Sequence, residues 1–157
     1  MAETGPLPSG LKHRFRQLAQ ATGLCSAMRS LNAAVPYRYS AIFRFEGDVL
    51  RNVCLVDKLD PDVTRCDDQA IGESYCIFIR RSGQRFSTEN SISDERVTDH
   101  PKRTQFHSYY GIPIFADDGR LLGTACHFDK DPVRVGEITT LDDVAQTIAE
   151  ALSGDQR

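Results

Sequence analysis

The sequence lacks the features that place a protein in a membrane or on nucleic acid. No apolar run approaches the roughly 18–20 residues that span a bilayer, and residues 1–10 lack the basic-then-apolar order of a secretory signal. The formal net charge is -3, whereas proteins that bind nucleic acid or membrane surfaces normally carry a basic patch. These absences predict a cytoplasmic protein with no nucleic-acid partner and no membrane partner.

The cysteine pattern argues against a metal site. The number of cysteines is odd and no C-x-x-C pair occurs, whereas tetrahedral zinc sites usually show closely spaced Cys or His pairs. The pattern instead predicts buried thiols that behave as small hydrophobic side chains in a reducing compartment. The five residues are Cys25, Cys54, Cys66, Cys76 and Cys126.

Length and composition are those of one globular domain. A chain of 157 residues that is 40% hydrophobic and 26% charged has enough apolar side chain for one core. Residues 1–10 are rich in Pro and Gly, which predicts a flexible N-terminus. We therefore expect a single domain over residues 11–153.

Apolar residues recur at helical spacing at both ends of the chain. Near the N-terminus this spacing begins at Leu11 and is interrupted by Gly23. Pro36 ends it, because proline disfavours the α conformation of the preceding residue. Near the C-terminus an apolar stripe precedes Gly154, a residue type that commonly ends helices. The stripe consists of Ile138, Leu141, Val144, Ile148 and Leu152.

Between the helical ends the apolar period changes to two. The stretch "YRYSAIFRF" alternates, and a Gly47-Asp48 turn joins it to a second strand, which predicts a β-hairpin. The stretch "SYCIFIRRSG" predicts a short buried helix that ends at Gly83, and "QRFSTENS" predicts a short strand. The residues predicted to share one face of the first strand are Tyr39, Ala41, Phe43 and Phe45.

A second hairpin is predicted in "GIPIFADDGRLLGTACHFD", because Asp118-Gly119 is a strong two-residue turn signal. Its neighbours Cys126 and His127 are not a catalytic pair, since successive strand residues point to opposite faces. One face is predicted to carry Leu122, Thr124, Cys126 and Phe128, and the other Leu121, Gly123, Ala125 and His127. Helices flanking antiparallel strands predict an α+β domain.

The segments "GESYC", "TENSISDERV" and "YYGIPIFADDGRLLGTACHFD", followed by an amphipathic C-terminal helix, resemble a GAF domain over residues 24–152. The resemblance implies a GAF/PAS-like α+β fold with a six-stranded antiparallel sheet. Terminal helices would cover one face, and loops and short helices would form a ligand pocket on the other. Terminal helices often form a dimer bundle in this family, so the resemblance also implies a homodimer.

The sequence departs from three groups of GAF domains. Bilin-binding members need an Asp-Ile-Pro stretch and a Cys-His tether, and residues 93–111 contain neither that stretch nor a cysteine. Cyclic-nucleotide-binding members carry an Asn-Lys-x-Phe-Asp-Glu pattern, of which only Asp94-Glu95 is present. Free methionine-(R)-sulfoxide reductases use three cysteines. Cys66 and Cys76 match two of them, but residues 89–107 lack the reactive third.

The resemblance places the pocket among the "SYC" segment, a helix after "TENS" and one face of the last hairpin. Mostly apolar walls with a few polar groups are typical of small-molecule sites. The acidic residues 57–68 lack the ligand order of a calcium-binding EF-hand, so we expect a solvated loop over the pocket. The candidate ligand-binding residues are Tyr75, Cys76, Arg80, Phe86, Val97, His100, Phe106, His107, Tyr109, Thr124 and Cys126.

Several candidates have a second interpretation. Phe86, Val97 and Phe106 also fit ordinary core positions, and His100 fits the surface. Arg80 either clamps an anionic ligand with its planar guanidinium or lies in solvent at a helix end.

The resemblance favours a cytoplasmic sensor that binds a small organic or anionic ligand without catalysis and signals through a dimer or a partner protein. The sequence leaves the ligand and any cofactor open. One alternative is a thiol enzyme of the reductase kind that uses Cys66 and Cys76. The other is a protein interaction module whose pocket is filled and which binds no small molecule.

Overall fold

The computed structural model describes residues 9–134 and 140–154, which form four α-helices, six strands and three 3₁₀ turns. The helices are α1 (Ser9–Thr22), α2 (Leu24–Asn32), α3 (Cys76–Ser82) and α4 (Thr140–Gly154). The strands are β1 (Tyr39–Glu46), β2 (Val49–Asp57), β3 (Gln69–Ala70), β4 (Phe86–Thr88), β5 (Ser108–Phe115) and β6 (Leu121–Asp129). The 3₁₀ turns are Ile71–Glu73, Ser91–Ser93 and Glu95–Val97. Of the segment predicted to be flexible, residues 1–8 lie outside the described residues, and α1 already begins at Ser9.

The six strands form one antiparallel sheet in the order β3-β2-β1-β6-β5-β4. Hairpins join β1 to β2 and β5 to β6, and the two hairpins meet where β1 pairs with β6. The short strands β3 and β4 pair with the outer sides of β2 and β5. The predicted α+β fold with a six-stranded antiparallel sheet is therefore confirmed.

Each face of the sheet carries its own apolar cluster. On the helix face, residues such as Ile42 pack against α1, α2 and α4. On the opposite face, which we call the cavity face, Tyr39, Ala41 and Phe43 pack against α3 and the loops around it. The predicted alternation of β1 is confirmed, because these three residues and Ile42 lie on opposite faces.

The predicted face of Leu122 is wrong because β6 carries a bulge. Ile114 pairs with Gly123 and Phe115 with Leu121, so Leu122 has no partner across the hairpin. The extra residue inverts the alternation at this end of the strand, and Leu122 joins the helix-face cluster. Further along β6 the predicted faces hold, with Cys126 in the cavity-face cluster.

The hairpin turn at Asp118-Gly119 is longer than predicted. The Ala116 N–H donates to the Arg120 carbonyl at 2.8 Å, and the Gly119 N–H donates to the Ala116 carbonyl at 2.9 Å. A two-residue Asp-Gly turn needs positive φ at both positions, yet of the turn residues only Gly119 has it, at 91°. The turn therefore consists of residues 117–119.

Helix α2 is shorter than the helix that the spacing of its apolar residues predicts. It ends at Asn32 rather than at Pro36. The N–H groups of Ala34 and Val35 donate to carbonyls only three residues back, at 3.0 and 3.2 Å, so the chain tightens before the proline.

The other predicted helices have mixed outcomes. Helix α3 ends before Gly83, whose φ of 69° is left-handed, as predicted. The helix expected after "TENS" is wrong, because two 3₁₀ turns capped by Asn90 and Asp94 replace it. Helix α4 buries its predicted stripe from Leu141 onward, whereas Ile138 lies outside the described residues. No helix in the described ranges has both the length and the apolar character needed to cross a bilayer.

A buried chain of hydrogen bonds joins the helices to the centre of the sheet. Asn32 Nδ2 donates to Ser40 Oγ at 2.7 Å, and Ser40 Oγ lies 2.6 Å from His127 Nδ1. His127 Nε2 lies 3.1 Å from Thr140 Oγ1. The chain thereby ties α2, the two central strands and α4 together through four side chains. Burial, together with the nearby charge of Lys58, lowers the pKa of His127 to about 3.

We expect His127 to make the protein less stable as pH falls from about 6.5 towards 3. The folded state keeps this imidazole neutral down to about pH 3, whereas the unfolded chain takes up the proton near 6.5. Over that window the unfolded state binds more protons, and by pH 5 the loss in free energy of unfolding is about 2 kcal/mol. Urea unfolding at pH 8 and pH 5 measures it. His127→Gln should lose this part of the pH dependence, and exposed His13→Gln should keep it. An equal pH dependence in all three proteins would contradict the assignment.

Gly123→Ala should destabilise the sheet, because β1 and β6 approach closely at this point. A Cβ atom at Gly123 would lie 1.9 Å from the Phe43 carbonyl oxygen and 2.9 Å from the Arg44 Cα atom. Both strands are central, so relief of the clash would disturb the pairing, and we expect a loss of about 2 kcal/mol or more. Gly72→Ala is the matched control, since nothing lies within 4 Å of its added Cβ. Equal thermal unfolding of the two variants would refute the prediction.

Candidate functional site

A cavity of about 480 Å³ opens on the cavity face of the sheet. Strands β1, β2, β5 and β6 form its floor, and the segments 66–75 and 102–106 surround its mouth. Its apolar and thiol-bearing walls are Tyr39, Phe43, Leu55, Cys66, Tyr75, Phe106, Tyr109, Cys126 and Phe128. Its polar residues are Asp67, Asp68, Gln69, Glu73, Ser74, Lys102, Gln105 and Lys130.

Aromatic rings from the floor and from the mouth segments pack against one another. Tyr39 stacks on Phe128 with ring centroids 5.0 Å apart, and Phe106 meets both rings edge-on at 5.8 and 4.9 Å. Tyr75 meets Tyr109 edge-on at 5.5 Å, and its hydroxyl donates to the Phe106 carbonyl at 2.9 Å. The rings therefore form a fixed apolar surface against which a small planar or aliphatic group can pack.

Charges of both signs stand at the cavity mouth. Asp67 and Asp68 lie between β2 and β3, Glu73 lies in the 3₁₀ turn after β3, and Lys102 and Lys130 come from two other parts of the chain. Asp68 is held in place, because its carboxylate accepts from the Arg51 guanidinium at 3.1 Å and from the Asn52 N–H at 2.9 Å. The predicted acidic loop thus does border the cavity, and lysines balance part of its charge.

The Cys76 thiol lies behind the cavity wall in a cluster of hydrogen-bonding groups. Its Sγ atom is 3.1 Å from Tyr109 Oη and 3.2 Å from Thr124 Oγ1. Burial acts to raise the pKa of Cys76, but hydrogen bonds with Cys126, Ser74, Thr124 and Tyr109 outweigh it and lower the pKa to about 7.

The neighbours of Cys76 keep their own protons. Burial is the main cause that raises the pKa of the Tyr109 phenol and the Cys126 thiol well above their usual ranges. These protonated groups can donate to a Cys76 thiolate, so the cluster can hold one negative charge beside the cavity. Within residues 9–134 and 140–154 no three His, Cys, Asp or Glu side chains are grouped to hold a metal ion.

The structure brings six of the eleven candidate residues together. Those that line the cavity are Tyr75, Phe106, Tyr109 and Cys126, and those behind the wall are Cys76 and Thr124. Tyr110, next to Tyr109, lies in the helix-face cluster, in keeping with the alternation of β5.

Arg80, Phe86 and Val97 lie away from the cavity. The Arg80 guanidinium donates to the Gly47 carbonyl at 2.7 Å and covers the Phe45 ring, so it clamps no group in the cavity. Phe86 and Val97 are buried core residues, at 8% and 1% exposure, and do not line the cavity.

The two candidate histidines also lie outside the lining. The His100 ring donates from Nε2 to the Ser74 carbonyl at 3.0 Å and accepts the Lys102 N–H at Nδ1, again at 3.0 Å. His100 therefore fixes the segment that carries Lys102 rather than facing the cavity itself. His107 is placed by backbone pairing with Ser91 and Asp129.

Sequence reasoning missed much of the lining. Tyr39 and Phe43 were predicted to share one face of β1, and Phe128 was predicted to share a face with the candidate Cys126, but none of the three was named as a site residue. No periodic signal marks Lys102 or Lys130, since both lie in irregular segments.

Comparisons with solved structures support the topology. The GAF domain of a phosphoenolpyruvate-protein phosphotransferase from Acinetobacter matches with a TM-score of 0.68 at 15% identity, over 93% of this chain and 90% of that one. The phycocyanobilin-bound GAF domain from a cyanobacterial phytochrome matches with 0.65 at 11% identity, over 95% and 97%. The free methionine-R-sulfoxide reductase from Neisseria meningitidis, in complex with its substrate, matches with 0.59 at 14% identity, over 91% and 82%. At these identities the likeness shows the fold alone.

The family assignment comes from the sequence itself. No curated protein matches the chain closely enough to count as a relative. The model of the GAF domain family matches residues 16–152, which include every strand of the sheet, the second half of α1 and most of α4. The chain therefore belongs to the GAF domain family.

Proposed function

We propose that this chain is a small-molecule-binding GAF module that acts as a sensor without catalysis, and that its ligand occupies the cavity described above. The observation that carries the proposal is the cavity itself. Its volume of about 480 Å³ is within the range of small-molecule sites, and it combines an apolar wall with polar and charged groups, as such sites do.

The lining favours a particular kind of ligand. The aromatic floor suits an apolar or planar body that excludes water from the rings. Lys102 and Lys130 suit a carboxylate or phosphate group, whereas Asp67 and Glu73 suit an ammonium group. We therefore expect a small organic molecule with an apolar body and a charged end that stays at the mouth.

Occupancy of the cavity can reach the helices through β1 and β6. Cys126 lines the cavity, while the next residue, His127, hydrogen-bonds to Thr140 of α4. Tyr39 lines the cavity, while the next residue, Ser40, accepts a hydrogen bond from Asn32 of α2. A ligand that displaces either strand therefore displaces the buried hydrogen-bond chain, which makes the helix face the proposed output surface.

The ligand proposal predicts a charge-dependent loss of binding. We would first record a native mass spectrum and an absorption spectrum, and then screen small carboxylates, phosphates, amines and amino acids by thermal shift. For an anionic hit, Lys102→Ala and Lys130→Ala should weaken binding about tenfold or more, because a charged hydrogen bond is lost. Lys12→Ala, an exposed change on α1, should bind as the wild type does. For an amine, Asp67→Asn and Glu73→Gln should show the loss instead.

Two results would contradict the proposal. One is a broad screen in which nothing raises the melting temperature and the native spectrum shows only the bare chain. This result would favour the interaction module with a filled pocket. The other is a small molecule from the screen that binds the wild type and keeps the same affinity in the four variants Lys102→Ala, Lys130→Ala, Asp67→Asn and Glu73→Gln. The same affinity in Tyr109→Phe would complete this result.

The homodimer, the signalling partner and the cytoplasmic location stay predictions from the sequence. Size-exclusion chromatography coupled to light scattering measures the mass of the protein in solution and so tests the homodimer without any ligand.

A thiol enzyme that acts on free methionine sulfoxide is the second candidate. It is favoured by one observation, that Cys66 lines the cavity and Cys76 lies behind its wall. A free methionine-R-sulfoxide reductase is also among the solved structures of similar fold. Against it, residues 89–107 contain no cysteine, so the position expected for the reactive thiol holds no nucleophile.

We expect no reduction of free methionine-(R)-sulfoxide when the purified protein is supplied with a dithiol reductant. Wild type, Cys66→Ser and Cys76→Ser should all match the rate of the reductant alone. Turnover by the wild type that disappears in Cys76→Ser would overturn the non-catalytic proposal and establish the enzyme.

A further inference from the structure

Strand β5 carries a glycine beside the cavity, Gly111, whose backbone conformation does not require a glycine. Gly111 pairs with Phe86 of β4 and with Cys126 of β6, so it lies within regular antiparallel pairing. It is not among the glycines with positive φ, the conformation that other residues avoid. The space around Gly111, rather than its backbone, therefore decides which residue fits there.

The Tyr109 ring occupies the place that a side chain at position 111 would take. Positions 109 and 111 face the same side of the sheet, because they are two residues apart in one strand. A Cβ atom at Gly111 would lie 2.4 Å from Tyr109 Oη and 2.7 Å from Cε1 and from Cζ of the same ring. These are the three nearest atoms, so the Tyr109 ring lies along the strand and over Gly111.

Other groups enclose the Tyr109 ring in this position. Its hydroxyl oxygen is 3.1 Å from the Sγ atom of Cys76 in α3. The rings of Tyr75 and Phe86 lie beside it, with centroids 5.5 and 6.2 Å away. Tyr109 is only 3% exposed but lines the cavity. The open space next to the ring is therefore the cavity.

The neighbours of Gly111 differ in kind from those of Gly123. At Gly123 the nearest atoms belong to the backbone of β1, which cannot move without disturbing the sheet. At Gly111 they belong to the far end of one side chain, which a change of rotamer carries away. A side chain at position 111 would therefore turn the Tyr109 ring into the cavity and leave the strand pairing in place.

We propose that Gly111 determines how large a ligand the cavity accepts, because it leaves room for the Tyr109 ring on the sheet. This inference rests on the proposed function, since it concerns the ligand of the same cavity. Gly111 is a positioning residue that acts through Tyr109. With the ring on the sheet, the cavity accepts a flat body of two aromatic rings. With the ring displaced, part of the 480 Å³ is filled and only a smaller body fits.

The test compares two pairs of probes by calorimetry, benzoate with 2-naphthoate and benzylamine with 2-naphthylmethylamine. The members of each pair differ by one ring, and the two pairs carry the two charges that the mouth suits. Gly111→Ala should weaken the naphthyl probe about tenfold or more relative to the phenyl probe, because the displaced Tyr109 ring overlaps its second ring. Gly10→Ala on α1 is the matched control and should keep the wild-type ratio, since nothing lies within 4 Å of its added Cβ.

A second background shows whether Gly111 acts through Tyr109. Tyr109→Val replaces the ring by a short side chain that suits a strand. Gly111→Ala added to Tyr109→Val should leave the ratio of naphthyl to phenyl affinity as it is in Tyr109→Val alone. A change as large as the one in the wild-type background would overturn the proposal, because the effect would then not pass through the ring.

Two further results would overturn the proposal, and they differ in what they say about the proposed function. If the wild type binds the probes and Gly111→Ala keeps the same ratio, the size determinant is wrong while the ligand-binding function stands. If the wild type binds none of the four probes, both fail together. If circular dichroism shows that Gly111→Ala does not fold, Tyr109→Val decides. Loss of the ring should then favour the naphthyl probes, and an unchanged ratio would overturn the proposal.

Discussion

The structure depends on one constraint, which is that the central strands β1 and β6 are buried on both faces. A strand in that position must supply apolar side chains at successive residues, and each pair of neighbours then belongs to two different clusters. Ala41 and Ile42 illustrate this, since the first packs on the cavity face and the second on the helix face. Two polar residues admitted there, Ser40 and His127, are hydrogen-bonded to one another and to the helices, because an unpaired polar group in such a place is costly.

The cavity follows from the same constraint. Helices of ordinary length cover the helix face, but the cavity face is covered by the seven-residue α3 and by irregular segments. These segments leave a space of about 480 Å³ above the aromatic rings instead of filling it with side chains. A family that keeps its sheet and varies these segments can change its ligand without changing its fold, which is why the fold alone does not identify the ligand.

The parts predictable from the sequence were those with a periodic or conformational signal. Alternation placed Tyr39 and Phe43 on one face, and Gly83 marked the end of α3. The errors have local physical causes. The bulge opposite Ile114 moved Leu122 to the other face, a change that no count of apolar residues reveals. Within the site, Tyr109 was found through the family resemblance, but the mouth residues were not found, since irregular segments are positioned by long-range contacts such as those of His100.

The helices at both ends of the described chain pack on the same side of the sheet. Arg16 of α1 and Glu150 of α4 form an ion pair with atoms 2.8 Å apart, and the cavity opens on the opposite side. A surface linker or a fluorophore attached to the exposed side of either helix would thus be separated from the cavity mouth by the thickness of the sheet. A protein immobilised in this way would present its cavity to solution, so the fold suits use as a mounted detector once a ligand is known.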